Sequence, residues 1–268
     1  MTDTIQAALS DIHVGSQYSV CANRFWNGVN NNTHSPNDNQ LQVISHFYNF
    51  ADTLSKHREN KTLKLFLMGD LIEGALLGTN EVWTNNPSEM TDVAIELIVD
   101  FKKRVNWQAG DKLYCLKGTY RHSEDWEESI GRQLDAETGE DGKYSQNEWR
   151  VETNGKLTWA IHQWVTPGDG ANEGMAIYHG LRTLYINSLK DLTRHPDNVY
   201  GAHNHKIGYS CYGWRSVNEV GIMHGTLCPS FKMKDRFSAK VSKFGRNFIG
   251  GMMQLVTAEG VIDSPKFV

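Results

Sequence analysis

The sequence predicts an α/β fold in which parallel strands alternate with helices as βαβ units. Three short apolar runs have the length of buried strands: TIQAALSD at 4–11, TLKLFLMGD at 62–70 and KLYCLKGT at 112–119. Between them, residues 41–57 and 88–105 place apolar side chains at helical spacing. Strands joined through a helix pair in parallel with right-handed crossovers. We therefore expect the three runs to lie in one sheet.

Between the first strand and the first helix, the chain is polar and rich in asparagine. We expect residues 14–37 to form a long surface loop, in which Trp26 could line a substrate cleft. After the third strand, Ser123 is a good N-cap followed by acids and by apolar residues four apart, which predicts a helix at 124–135. His122 would then lie on the loop between a strand and a helix.

The second half of the chain begins with a polar loop at 136–148. A β-hairpin follows, because strands of alternating polarity flank Asn154-Gly155, a pair typical of tight hairpin turns. Residues 173–192 show helical spacing, and the rest of the chain predicts short strands and turns. No repeat, low-complexity tract or linker is evident, so we expect residues 1–268 to form a single domain.

Composition excludes several classes of protein. No apolar run is long enough to span a membrane and no secretory signal is evident, so we expect a cytoplasmic protein without a membrane partner. The four cysteines are scattered and form no CxxC pair, which favours reduced thiols. The net charge of −4 argues against bulk electrostatic coating of nucleic acid. Residues 232–246 nevertheless carry six basic residues against one acid, and they could form a solvated face or could meet an anionic substrate.

Aspartate or histidine follows the end of several predicted strands. The first strand ends in SDIHVG, the second in MGDLIEG, the third in KGTYRH, the hairpin strand in AIH and a later one in GAHNH. In open α/β sheets, sites form outside the carboxyl ends of strands. Asp11 and His13 are two residues apart, as are His203 and His205, and in extended backbone such residues project to the same side. Each pair could therefore reach one metal ion or two adjacent ions.

The ligand types indicate the chemistry. Mixed carboxylate and imidazole ligands suit Mn, Fe or Zn better than calcium. Asp70, directly after Gly69, is the natural bridging ligand because a carboxylate has two oxygens and can bind two cations. Two divalent ions about 3.5–4 Å apart can clamp a phosphate, acidify a water molecule and stabilise the leaving oxygen.

The ordered set of Asp11-Ile12-His13, Gly69-Asp70, the Gly118 loop, a mid-chain histidine and GAHNH resembles the calcineurin-like metallophosphoesterases. The motifs of that family are DxH, GD, GNH(D/E), H and GHxH, and the resemblance spans about residues 5–206. It implies a two-layered β sandwich flanked by helices, and phosphoester hydrolysis by a hydroxide that bridges two divalent metal ions. We expect Mn, with Fe, Zn, Ni or Mg as alternatives. By position, the resemblance implies that Asp11, His13, Asp70 and His205 hold the first ion and that Asp70, His162 and His203 hold the second.

The third motif departs from the family pattern. Thr119 stands where the family has a ligand asparagine, and the chain continues GTxxH, as in a divergent branch often found in phage genomes. A hydroxyl is a poorer ligand for a divalent ion, so we expect Thr119 to act through water or on the substrate. An imidazole can donate a proton to a leaving oxygen at neutral pH, so His122 is the predicted catalytic acid; replacing the asparagine as a ligand is the alternative. Arg121 could bind a phosphate bidentately or could simply be solvated.

Two further assignments have alternatives. His162 ends an alternating strand, as the histidine of the family's fourth motif does, but His179 would take that role if residues 175–179 formed a strand. Glu73, three residues after Asp70, could orient a ligand imidazole or could be an ordinary helix acid.

The expected function is a metal-dependent phosphodiesterase in the cytoplasm of a bacterium or a phage-infected cell. Its substrate would be nucleic acid, such as DNA, or a nucleotide: the basic segment 232–246 favours a nuclease groove, and a wall formed by 14–37 would favour a closed nucleotide pocket. Because the family asparagine is missing, a catalytically silent metal-binding scaffold of the same fold is the alternative.

Overall fold

Two β-sheets pack face to face, and helices cover both outer surfaces. This arrangement, seen in a computed structural model, confirms the predicted α/β class and the two-layered sandwich flanked by helices. The structure describes residues 2–21, 26–27, 33–74, 81–123, 125–165, 173–217, 219–233 and 248–268. In chain order the elements are β1 (Thr4–Leu9), β2 (Trp26–Asn27), β3 (Thr33–His34), α1 (Asp38–Arg58), β4 (Thr62–Leu67), α2 (Pro87–Arg104), β5 (Lys112–Leu116), α3 (Tyr120–Ser123), α4 (Trp126–Gln133), β6 (Ser145–Gln146), β7 (Glu148–Thr153), β8 (Lys156–Ile161), α5 (Glu173–Lys190), β9 (Asn198–Gly201), β10 (Gly208–Arg215), β11 (Val220–Leu227), β12 (Met252–Val256) and β13 (Lys266–Phe267).

The first sheet has six strands in the order β13-β12-β1-β4-β5-β6. Strands β1, β4, β5 and β6 run parallel, whereas β12 is antiparallel to both β1 and β13. Helix α1 connects β1 to β4 and helix α2 connects β4 to β5, so the predicted βαβ units are confirmed. Strand β6 lies within the segment predicted to be a polar loop, where it extends the sheet by pairing with β5.

The second sheet has five strands in the order β10-β11-β9-β8-β7. Its central strands β8, β9 and β11 run parallel, and β7 and β10 are antiparallel edge strands. The predicted hairpin joins β7 to β8 through Asn154 and Gly155, which have φ values of 50° and 78°. Both residues of a tight type I′ turn need positive φ, and this requirement explains the Asn-Gly pair.

The central strands are buried on both faces. Leu63, Leu65 and Leu67 of β4 belong to the core that packs under the helices of the first sheet. Phe66 points the other way, into the core between the sheets, where its ring stacks on Tyr114 with centroids 5.0 Å apart. Burial on both faces is the reason that these strands appear in the sequence as nearly continuous apolar runs.

A polar network also lies between the sheets. Gln6 Oε1 accepts a hydrogen bond from Thr158 Oγ1 at 3.0 Å, and Asn198 Nδ2 donates to Gln254 Oε1 at 2.7 Å. Tyr200 Oη lies 2.8 Å from Gln6 Oε1 and 2.7 Å from Gln254 Oε1. All five side chains are buried, so directed hydrogen bonds supplement the apolar contact between the two layers.

Residues 14–21 differ from the prediction of a surface loop. Most of them are buried, because Ser16 forms a β-bridge with Val82 and Ser19 forms one with Lys232. The predicted surface rim is therefore wrong for this part of 14–37. The side chain of Trp26 and residues 234–246 of the basic segment lie outside the described residues. Among the helices that the structure describes, none has the length and apolar content needed to cross a membrane.

Candidate metal centre

Six aspartate and histidine residues lie just beyond the carboxyl ends of strands from both sheets. Strands β1 and β4 of the first sheet and β8 and β9 of the second sheet precede them. Their side chains form two overlapping groups in which the possible ligand atoms lie within 4.8 Å of one another. The groups are Asp11, Asp70, His162 and His203, and Asp11, His13 and His205. The structure thus brings together all six residues that the sequence proposed as metal ligands.

The backbone at these residues is unusual. Five of them have positive φ: Asp11 (49°), His13 (49°), Asp70 (49°), His203 (70°) and His205 (51°). For a residue other than glycine, the left-handed region costs roughly 1–2 kcal/mol. The expectation that residues two apart share one side of an extended backbone was therefore wrong, because tight loops beyond the strand ends direct these side chains. Non-glycine residues in this region concentrate at functional sites.

One oxygen of Asp70 faces both groups. Its Oδ2 lies 3.2 Å from His162 Nε2, 3.9 Å from His203 Nδ1 and 4.0 Å from His13 Nε2. Its Oδ1 instead accepts hydrogen bonds from Thr119 N at 2.6 Å and Thr119 Oγ1 at 3.1 Å. Thr119 Oγ1 also lies 3.3 Å from Oδ2. The sharing of Asp70 between two ions stays a prediction, and Oδ2 is the oxygen that lies near histidines of both groups.

Asp11, and not Asp70, is the residue that belongs to both groups, which the sequence did not indicate. Its Oδ1 lies 3.4 Å from His205 Nε2 and 3.9 Å from His13 Nε2. Its Oδ2 accepts a hydrogen bond from His203 N at 3.1 Å. The loop that follows β1 thus contacts the loop that follows β9 directly at the site.

Two of the imidazoles are oriented by contacts on the side away from the site. His162 Nδ1 lies 2.6 Å from Met68 O, and since a carbonyl oxygen only accepts, the Nδ1 proton is there and Nε2 faces Asp70. His13 Nδ1 lies 2.9 Å from Glu73 Oε2, a close ion-pair contact that lacks hydrogen-bond geometry, and His13 Nε2 faces the site. The Glu73 contact predicted as one alternative is therefore present. Metal-binding histidines almost always have such a second partner.

The carboxylates of Asp11 and Asp70 and the nearby imidazoles shift one another's pKa values. Burial alone would raise the pKa values of Asp11 and Asp70, but nearby histidines outweigh burial and hold both pKa values below their usual range. Burial alone would lower the pKa of His162, but the close contact with Asp70 and the charges of Asp11 and Asp70 raise it to about 9. A cation that binds here would therefore compete with the proton on His162.

The pKa of His13, which contacts Glu73, shifts in the opposite direction from that of His162. Burial and the charge of Lys232 lower the pKa of His13 to about 4, although Glu73 opposes this shift. Burial would raise the pKa of Glu73, but His13 and Lys232 lower it to about 2. Lys232 was predicted to belong to a basic segment that is either solvated or in contact with an anionic substrate; it is instead buried and pairs with Glu73.

The ligand atoms fit a metal ion. Asp11 Oδ1, His13 Nε2 and His162 Nε2 are buried, and among the described residues they have no hydrogen-bond partner of acceptable geometry. Buried polar atoms without partners are costly and rare in folded proteins. A divalent cation bound by these oxygen and nitrogen atoms would satisfy all three.

The GTxxH segment lies against the same site. Gly118 approaches Asp70 so closely that a Cβ atom there would collide with Asp70 Oδ1 and with the Asp70 amide, so only glycine fits. Thr119 donates to Asp70, and its predicted role as a substrate ligand stays a prediction. Arg121 lies in α3, and its side chain is outside the described residues.

His122 lies in the short helix α3 rather than on the predicted loop. Its Nδ1 is 2.6 Å from Glu73 O, and its ring packs edge-on against His13 with centroids 4.8 Å apart. The residues that surround a possible third cation position are His13, Glu73 and His122. His122 is thus placed beside the group that contains His13, and it is not grouped with His162 and His203.

His179 lies away from the described metal-binding groups. Residues 175–179 belong to α5, so the strand that would have favoured His179 is not formed. The side chain of His179 is exposed and contacts the ring of Tyr178. Between the two candidates, the described geometry places His162 at the site.

Glu127 is a buried acid near the site that sequence reasoning missed. It lies in the first turn of α4 and is fully buried, and neither carboxyl oxygen has a hydrogen-bond partner among the described residues. Burial raises the pKa of Glu127 to about 8, and the charge of Asp70 adds to the shift. In the sequence, Glu127 is one of several acids near a helix N-terminus, and nothing local distinguishes it from the solvated ones.

Replacing Glu127 by glutamine is expected to change how stability depends on pH. The folded pKa of Glu127 is raised from 4.5 to about 8, so its favourable contribution is complete below pH 4.5 and is lost as the pH rises to about 8. The free energy of unfolding of the metal-free parent should therefore fall between these pH values more steeply than that of Glu127→Gln. Urea unfolding at about pH 5 and about pH 8.5 measures the difference. Glu137→Gln, at an exposed ion pair, is the control, and equal slopes for parent and Glu127→Gln would contradict the prediction.

No protein-family model matches this sequence, and no curated protein shows significant similarity to it. The assignment of a function therefore depends on the geometry of the centre and on the order of the motifs. Both are properties of the chain itself.

Proposed function

We propose that the protein is a metal-dependent phosphoesterase of the calcineurin-like type, and specifically a phosphodiesterase that acts on DNA or a nucleotide. The supporting observation is the convergence of six aspartate and histidine side chains from four strand ends, with three buried ligand atoms that lack partners. Two overlapping groups suit two divalent ions. The mixture of oxygen and nitrogen ligands favours Mn, with Fe, Zn, Ni or Mg as alternatives.

Divalent ions in such a centre, when bound, supply positive charge for the phosphate and lower the pKa of a coordinated water. The protein itself supplies fixed ligand positions. Thr119 holds one oxygen of Asp70, the His203 amide holds one oxygen of Asp11, and Met68 O fixes the ring of His162. Ligands fixed in this way need little reorganisation when ions and substrate bind.

His122 is proposed as the proton donor. Its Nδ1 donates to Glu73 O, so Nε2 is the atom that would hold the proton given to the leaving oxygen. The side chain is half-buried, which leaves it accessible to a substrate bound at the centre. Its position beside His13 favours this role over that of a replacement ligand in the His162 and His203 group.

A catalytically silent metal-binding scaffold is the second candidate. One observation favours it: Thr119, at the position of the family asparagine, contacts Asp70 with both its amide and its hydroxyl. The second group would then bind its ion with one ligand fewer than in the family. A weakly held second ion would support structure without supporting turnover.

Hydrolysis assays distinguish these functions. The metal-stripped protein should be tested with Mn, Mg, Zn or Ni against an aryl phosphodiester, an aryl phosphomonoester, cyclic nucleotides and single- and double-stranded DNA. We expect metal-dependent turnover of the diester, and turnover of DNA or nucleotides. No turnover of any substrate, despite two bound ions, would favour the scaffold. Binding of DNA that weakens steeply with salt would indicate a groove that contacts several phosphates, whereas weak salt dependence would indicate a nucleotide pocket.

A further inference from the structure

Glu73 and Lys232 form a buried ion pair beside the candidate centre. Lys232 Nζ lies 2.9 Å from each carboxylate oxygen of Glu73, and the two side chains are only 6% and 5% exposed. The residues are 159 positions apart in the sequence. Glu73 Oε2 is also 2.9 Å from His13 Nδ1, so the carboxylate lies between a lysine and a candidate metal ligand.

The segment that carries Lys232 is bound to the loop that carries His13. Residues from 229 to 233 run beside residues 10–19, and backbone contacts hold them in register. Phe231 N donates to Ser10 O at 3.3 Å, Met233 N donates to Tyr18 O at 2.7 Å, and Lys232 forms a β-bridge with Ser19. Because these contacts fix the backbone on both sides of Lys232, its ammonium group reaches Glu73 from a defined position.

Glu73 contacts both histidines that the proposed function places on this side of the centre. Its carboxylate meets His13 Nδ1, and its backbone oxygen meets His122 Nδ1 at 2.6 Å. A buried carboxylate without a counter-charge is costly, so it tends to rearrange towards solvent. The two contacts from Lys232 remove this tendency and hold Oε2 towards the imidazole of His13.

We propose that Lys232 is a positioning residue for the metal centre and acts through Glu73. Lys232 holds the Glu73 carboxylate, and Glu73 in turn orients His13 so that Nε2 faces Asp11 and Asp70. This inference rests on the metal centre of the proposed function. It assigns a role at the site to a segment beyond residue 206, where the motif resemblance ends.

The direction in which Mn affinity changes when Lys232 is replaced separates a positioning role from a purely electrostatic one. Removing a positive charge near a cation site removes a Coulomb repulsion, and this alone should tighten cation binding. If Lys232 positions His13, its removal should instead weaken binding, because the loss of an outer contact of a metal ligand typically lowers metal affinity about 10–100-fold. Lys232→Met removes the charge and keeps most of the side-chain length.

The test is a Mn titration of the metal-free protein by calorimetry, with the melting temperature of each metal-free variant measured in parallel. We expect Lys232→Met to bind at least one Mn ion about 10–100-fold more weakly than the parent. Lys232→Arg, which keeps the charge, should recover most of that loss. Lys112→Met removes an exposed lysine that pairs with Glu137 at 2.8 Å, and as the matched control it should bind Mn like the parent.

A double variant keeps the test decisive if Lys232→Met does not fold. Glu73→Gln with Lys232→Met removes both charges, leaves the net charge unchanged and keeps a side-chain oxygen next to His13 Nδ1. We expect this variant to fold and to bind Mn about tenfold more weakly than the parent, because an amide is a weaker acceptor than a carboxylate. Parent-like or tighter Mn binding in the folded Lys232→Met protein, or parent-like binding in the double variant, would overturn the proposal.

The outcome also separates this inference from the proposed function. If the parent binds no Mn, the metal centre and the positioning role fail together. If the parent binds Mn and Lys232→Met weakens the binding, but no phosphoester is hydrolysed, the positioning role stands and only the phosphoesterase function fails.

Discussion

Replacing Asp70 by asparagine is expected to reduce bound metal from about two ions per chain to one or fewer and to lower phosphodiesterase activity by roughly 10³-fold or more. The reason is the position of Asp70 Oδ2, which lies within 4.0 Å of histidine nitrogens from both groups. An amide oxygen has the same size but no charge, so it would hold two cations together poorly. Metal analysis after reconstitution and washing, with initial rates on an aryl phosphodiester, measures both effects.

The control for this variant is Asp52→Asn. Asp52 is a half-exposed acid on α1 that pairs with Arg104 at 2.6 Å, so its loss tests whether any surface acid contributes to the metal count. Parent-like metal content and activity are expected for it. Unchanged metal content in Asp70→Asn would contradict the bridging role of Asp70 and would favour Asp11, the residue that belongs to both groups, as the shared ligand.

Replacing His122 by alanine is expected to lower the rate by about 10²–10⁴-fold for a substrate with a poor leaving group. General acid catalysis matters most when the leaving oxygen needs a proton, so an activated aryl leaving group should show a much smaller loss. Metal content should stay at the parent value of two ions, because His122 belongs to neither of the two groups that share Asp11 and lies only at the third position, with His13 and Glu73. Parallel assays on an alkyl and an activated aryl phosphodiester, with metal analysis, measure these outcomes.

His57→Ala is a matched control for His122→Ala. His57 is an exposed helix histidine whose Nδ1 lies 2.9 Å from a backbone carbonyl, as the Nδ1 of His122 does. We expect no change in rate for this variant. Equal losses on both substrates together with a lower metal content would identify His122 as a ligand, and full activity on both would identify it as a bystander.

The sequence was sufficient to predict the central βαβ units and the residues at the strand ends. A strand that is buried on both faces of a sheet appears in the sequence as a short, nearly continuous apolar run, and the segment 62–67 has this pattern. Parallel strands place their carboxyl ends at one edge, so Asp11 and Asp70 could be brought together without knowledge of the loops. The pairing of β1 with β4 confirms this reasoning.

Features that depend on distant contacts could not be predicted. Lys232 looked like one lysine of a solvated basic segment, because its partner Glu73 lies in another part of the chain and no local pattern links them. Glu127 was likewise hidden among other acids of its helix. The left-handed backbone at Asp11 and His13 has no signal in the sequence, since glycine would be the expected residue there.

The polar network between the sheets affects the metal centre because it fixes where one sheet lies on the other. Each sheet supplies half of the candidate ligands. Apolar contact is not directional and would tolerate a small slide of one sheet over the other. A slide by one residue moves a strand by about 3.3 Å, which is more than a hydrogen bond can stretch. The contacts of 2.7 Å from Asn198 and Tyr200 to Gln254 would break before the sheets had moved that far. The interior amides and hydroxyls therefore set the alignment at which the two halves of the ligand set meet.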